Sequence, residues 1–126
     1  MTNLWQETKT IAVVGLSEKP SRPSYQVAQY MQSIGYRIIP VNPLCSEILG
    51  EHCYPDLLSI PEPVDMVNVF RKSEDCLPIA QDAVKIGAKS LWMQQGVINQ
   101  EAYDHAQSNG LEAVMDKCLM VEHRRQ

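Results

Sequence analysis

Short apolar runs alternate along this chain with stretches in which apolar side chains recur every three or four positions, the signature of strands and amphipathic helices taking turns. Five runs read as strands, over residues 10–14, 36–41, 64–70, 89–93 and 111–115. The four consecutive apolar residues Ile11-Ala12-Val13-Val14 suit a parallel strand covered on both faces. A helix over residues 24–33 presents Val27, Ala28, Tyr30, Met31 and Ile34 to the core and stops at Gly35. A second helix is expected from a Ser73 cap to Gly87, with Glu74 and Asp75 placed favourably against its dipole. Pro78 removes one early backbone bond there, so either the first turn is loose or the regular helix begins later. A third helix spans residues 99–108 and ends at Asn109-Gly110. Residues 3–8 read as a short leading helix with Leu4 and Trp5 as its apolar contacts, and the tail from Asp116 reads as helical, with Cys118 near its start. The stretch 44–63, broken by Gly50, Pro55, Pro61 and Pro63, is expected to be irregular apart from one helical turn over 56–60.

Strands joined by helices predict an α/β fold, a Rossmann-like, doubly wound five-stranded parallel sheet flanked by helices, with strand order 3-2-1-4-5. Ligands of such sheets sit at the carboxyl ends of the strands, beside the point where the order reverses. Here that edge gathers Gly15-Leu16-Ser17, Asn42-Pro43, Phe70-Arg71 and Gln94-Gln95-Gly96. The loop after the first strand has the composition of a phosphate site. Gly15 permits a sharp turn and a close approach, and the helix starting near Ser24 aims unpaired N–H groups at an anion. Lys19 and Arg22 supply full charges. The loop is not G-x-G-x-x-G, since positions 17 and 20 are Ser and Pro, and no G-K-[ST] follows; it indicates phosphate without naming the ligand.

Composition narrows the partners. With 126 residues, 44% hydrophobic and 21% charged, the chain reads as one soluble domain over 1–126. A net charge of −4 argues against nucleic acid as the main partner, which a basic surface would be needed to attract. No run has the apolar length to cross a membrane and the start lacks a signal-peptide pattern, so a cytoplasmic protein with no membrane partner is expected. Cys45, Cys53, Cys76 and Cys118 form no C-x-x-C and are expected to be reduced; the adjacent His52-Cys53 pair does not make a metal site. No G-x-S-x-G elbow occurs, and no residue is singled out as catalytic. A dinucleotide reading wants an acidic residue at the end of the second strand, where this chain has Asn42-Pro43.

The stretch from Ile11 through Arg22-Pro23-Ser24, followed by Gly35-Tyr36, Val41-Asn42-Pro43, Leu49-Gly50-Glu51, Val64-Asp65-Met66-Val67, Phe70-Arg71, Trp92-Met93-Gln94, Gly96-Val97 and Met115-Asp116-Lys117-Cys118, resembles the small single-domain CoA-binding proteins. That family is similar to the N-terminal CoA-binding domain of the succinyl-CoA synthetase α subunit, and the resemblance implies coenzyme A as ligand. The synthetase chemistry needs a phosphorylatable histidine in a separate downstream domain, which is not expected within these 126 residues. His52, His105 and His123 fall in a loop, on a helix and in the tail. The resemblance therefore implies a noncatalytic module that binds CoA or acyl-CoA, for sensing, carrying or presentation to an unidentified protein partner. An NAD(P)-dependent oxidoreductase and an interaction domain with a non-functional nucleotide pocket are the alternatives.

Coenzyme A gives the polar strand ends a division of labour. Its pyrophosphate is expected on the Leu16-Ser17 loop and the Pro23-Ser24 start of the first helix, with Lys19, Arg22 or Arg71 pairing with the pyrophosphate or the 3′-phosphate. Asn42 and Pro43 are expected on the adenosine side, where an amide avoids the repulsion a carboxylate would add. The pantetheine arm is expected along Phe70 and the Gln94-Gln95-Gly96-Val97 loop. Arg71 is alternatively the ion-pair partner of a helix-face carboxylate such as Glu74, and Cys118 is either a reactive thiol or a small buried hydrophobe.

Overall fold

The structure, a computed structural model, describes residues 4–126. The chain runs α1 (Leu4–Glu7), β1 (Thr10–Val14), α2 (Pro23–Ser33), β2 (Arg37–Val41), β3 (Glu47–Ile48), β4 (Glu51–His52), β5 (Met66–Val69), α3 (Cys76–Lys85), β6 (Ser90–Met93), α4 (Gln100–Ser108), β7 (Glu112–Val114) and α5 (Leu119–Arg124). The expected leading helix is α1, although Asn3 lies outside the described residues. Strand β1 follows the side-chain alternation of a doubly covered strand: Ala12 and Val14 enter the core beneath α3 and α4, while Ile11 and Val13 enter the one shared with Leu4, Val27, Met31 and Leu119.

The five parallel strands form the expected doubly wound, Rossmann-like sheet, in the order β2-β1-β5-β6-β7. The third of the expected strands, β5, thus lies between β1 and β6 and not outside β2, and the order reverses between β1 and β5. One carboxylate helps to hold β5 there. Asp65 Oδ2 accepts from the backbone N–H groups of Lys9 and Thr10 at 2.9 and 3.0 Å, and its backbone N–H donates to the Thr10 carbonyl at 3.0 Å. The Asp65 carbonyl also accepts from Lys89 and Ser90, bringing β6 alongside.

Two local departures have plain causes. The stretch expected to be irregular contains the β3–β4 hairpin, whose two-residue turn places Leu49 and Gly50 at φ 55 and 75. Positive φ at both central positions suits a hairpin, but leucine in the first hides the usual Asn-Gly signal. Ser73 does not cap α3; its Oγ accepts from Ile98 N–H at 2.9 Å, and a 3₁₀ turn over Ser73–Asp75 leads into a helix beginning at Cys76. Pro78 then sits in the first turn of α3, where backbone donors have no intrahelical partner to lose.

At Gly15, φ is +86, and a Cβ there would fall 2.3 Å from the Phe70 carbonyl oxygen and 3.0 Å from Arg71 Cδ. Gly15→Ala is therefore expected to destabilise the protein by about 2 kcal/mol or more, through backbone strain and steric overlap. A thermal melt superimposable on that of the unsubstituted chain would contradict this. Burial acts to raise the Asp65 carboxyl, but the Lys9 and Thr10 N–H groups and the Lys89 ammonium outweigh it and hold the group below the usual aspartate range. Its stabilisation is thus complete above the unfolded pKa of about 3.9 and fades as the pH falls from there through the folded value. Asp65→Asn should lower stability by about 1–2 kcal/mol at pH 7, with the gap narrowing below about pH 4 in urea titrations.

Candidate functional site

The carboxyl ends of β1, β5 and β6 enclose a crevice of about 780 Å³ at the place where the strand order reverses. Gly15 contributes bare backbone, Pro23 and Val27 form the α2 side, Phe70, Arg71 and Lys72 follow β5, and Gln94, Gln95 and Val97 follow β6. Asp75 and Cys118 complete the wall. The convergence follows from parallel pairing, since the register Val14↔Val69↔Met93 brings three strand ends to one level.

Of the residues expected at the site, Gly15, Pro23, Phe70, Arg71, Gln94, Gln95 and Val97 line the crevice. Leu16, Ser17, Ser24 and Asn42 instead hold the loop that borders it. Leu16 is fully buried, its carbonyl accepts from Asn42 Nδ2 at 2.9 Å, and Asn42 Oδ1 accepts from Leu44 N–H at 2.8 Å. The buried Ser24 hydroxyl accepts from Ser17 N–H at 3.0 Å, and Ser17 Oγ accepts from Lys19 N–H at 3.1 Å. Lys19 and Arg22 are exposed on this loop outside the crevice wall, and among the described residues neither joins an ion pair. Pro43 is exposed beyond the wall, and Gly96 is held beside it by donating its N–H to Asp116 Oδ1 at 2.7 Å.

Four wall residues lay outside the expected phosphate, adenosine and pantetheine contacts: Val27, Lys72, Asp75 and Cys118. Val27 looks like any core position of an amphipathic helix, and Asp75 like a charge placed for a helix dipole. Lys72 did carry a signal, because it extends the cationic strand end begun by Arg71. The Arg71 guanidinium lies 3.7 Å from Asp75 Oδ2, one helical turn on, so its carboxylate neighbour is Asp75 and not Glu74. On the far side of these two residues a second cavity of about 350 Å³ has apolar walls from Val14, Val41, Leu57 and Ile79, with Asp56, Glu74 and Asp82 also lining it.

The floor near β6 is polar and buried. Gln94 Nε2 donates to Asn68 Oδ1 at 2.7 Å, and Gln94 Oε1 accepts from Leu119 N–H at 3.4 Å, which ties the start of α5 to the crevice. Trp92 belongs to the core, and its Nε1 donates to the Lys117 carbonyl at 2.8 Å. All four cysteines are free thiols. Burial pushes the thiols of Cys53 and Cys76 up, and burial together with the Glu18 carboxylate does so for Cys45. Cys118 alone of the four lines the crevice.

Among the described residues no histidine lines the crevice and no three His, Cys, Asp or Glu side chains are grouped to hold a metal ion. His123 packs edge-on against Trp5, Tyr30 and Tyr36, and His52 against Tyr54. No helix among the described residues is long and apolar enough to cross a membrane.

The sequence model of the CoA binding domain matches residues 9–124. The uncharacterized protein YneT of Bacillus subtilis strain 168 is 45% identical over 118 residues, covering 94% of this chain and 87% of the relative. A hypothetical protein from Pyrococcus horikoshii OT3 has the same fold, with a TM-score of 0.93 and 40% identity, covering 98% of this chain and 87% of that one. Acetate–CoA ligase (ADP-forming) I of Archaeoglobus fulgidus is 28% identical over 121 residues, covering 88% of this chain but only 18% of the ligase. Fold and sequence agree: the chain belongs to the CoA-binding domain family and is homologous to the N-terminal CoA-binding domain of ADP-forming acetyl-CoA synthetases.

Proposed function

We propose that this chain binds coenzyme A or an acyl-CoA in the β1/β5/β6 crevice and acts as a noncatalytic binding or regulatory module. The observation that carries this reading is the pairing of two adjacent cations, Arg71 and Lys72, with a glycine-bared strand end inside one crevice. An anionic cofactor needs those elements: a close backbone approach, fixed charge, and apolar wall for the arm that follows. Phe70, Val27 and Val97 supply the apolar wall. Lys19 and Arg22, exposed on the neighbouring loop, are the further cations within the reading, suited to a phosphate at the rim.

The noncatalytic role rests on what lines the crevice. A phosphohistidine ligase takes its imidazole from a separate domain, and none of the described wall residues here is a histidine that could serve in its place. A dinucleotide-dependent reaction fits less well, because the Asn42 amide at the end of β2 is engaged with Leu16 and Leu44.

Isothermal titration should give saturable binding of CoA, with the form lacking the 3′-phosphate bound about tenfold more weakly. Arg71→Ala and Arg22→Ala should each weaken CoA binding by roughly five- to tenfold without altering the melting temperature. Equal affinity for the two forms of the cofactor would remove the proposed recognition of the 3′-phosphate. Saturable binding of NADPH with none of CoA would overturn the reading itself.

A further inference from the structure

We propose that Asp75 is an internal stand-in for a ligand phosphate, holding the Arg71 guanidinium and exchanging it for an anionic group of the bound molecule, so that it sets the affinity of the crevice downward. The inference rests on the reading of the crevice as a CoA site and names the residue that tunes it.

Arg71 lies against the bare backbone of Gly15. Its methylene stem crosses the end of β1, where Cδ would stand 3.0 Å from a Cβ at position 15. The guanidinium is thereby kept on the wall shared by the crevice and the second cavity, and Asp75 is the other residue of that wall common to both. Asp75 Oδ2 meets Arg71 Nη2 at 3.7 Å, with the two side chains 40% and 47% exposed. This is a long, solvated contact, weak enough to be surrendered. A phosphate oxygen offers the same guanidinium a closer, bidentate acceptor.

The carboxylate released by such an exchange is not stranded. Asp75 is the residue preceding α3, and its side chain caps no backbone N–H, so it is free to turn to solvent at the positive end of that helix. Lys72 stays in the wall as a second cation, while the carboxylates of Asp56, Glu74 and Asp82 line the second cavity and not the crevice. Asp75 is thus the crevice's one carboxylate among the described residues, and it faces the cation that an incoming anion would use. Removing its charge frees Arg71 and lifts a repulsion.

The test is a double-mutant cycle of Asp75→Asn and Arg71→Ala, read by isothermal titration of CoA and of inorganic pyrophosphate at low and at physiological salt. Asp75→Asn should tighten binding about threefold or more at low salt, with a smaller gain at higher salt, and most of the gain should vanish in the Arg71→Ala background. A purely structural role would not produce that coupling, and thermal melts of each variant report folding separately. Unchanged or weaker binding by Asp75→Asn, or an equal gain with and without Arg71, would overturn the proposal while leaving CoA recognition standing. Binding and coupling with pyrophosphate but not with CoA would support the exchange and refute CoA as ligand. No binding of either probe would refute both.

Discussion

The close approach of β1 to the backbone after β5 is the constraint on which the crevice depends. Gly15 N–H donates to the Val41 carbonyl and Phe70 N–H donates to the Val14 carbonyl, so the ends of three strands are drawn together around a residue with no side chain. Any Cβ at position 15 would strike the Phe70 carbonyl. The same bareness leaves Arg71 room to lie across the end of β1, which sets the charge at the mouth of the site. Geometry and electrostatics of the crevice thus have one origin.

Around that contact the polar residues divide into two groups. Arg71, Lys72, Asp75 and Gln95 present their side chains to the crevice, whereas Asn42, Ser24 and Asp116 spend theirs on backbone groups of the bordering loops. Such local captures replace regular secondary structure where the chain turns sharply, and they satisfy groups that would otherwise be costly to bury. Asp116 adopts φ +62 while accepting from Gly96 N–H, which joins the loop after β6 to the segment leading to Cys118.

Much of this was legible in the residues, for reasons that differ by element. The five strands are visible because buried parallel strands need uninterrupted apolar runs, and α4 because Asn109-Gly110 mark its stop. The place of β5 beside β1 was hidden, since it depends on Asp65 reaching the Lys9 and Thr10 N–H groups some 55 residues away in sequence. The hairpin was hidden by Leu49 in a conformation that usually selects asparagine or glycine. At the site, strand-end position identified Gly15, Phe70, Arg71, Gln94 and Gln95. It could not separate residues that line the crevice from those, such as Asn42, whose amide is already engaged.

The central claim is that coenzyme A occupies this crevice, and amide chemical-shift mapping by NMR during a CoA titration tests it most directly. The account predicts saturable shifts concentrated at Gly15, Phe70 to Lys72, Gln94 to Val97 and Cys118. Shifts confined to the opposite end of the sheet, around Thr8, Tyr36 and His123, or no shifts at saturating CoA, would contradict it.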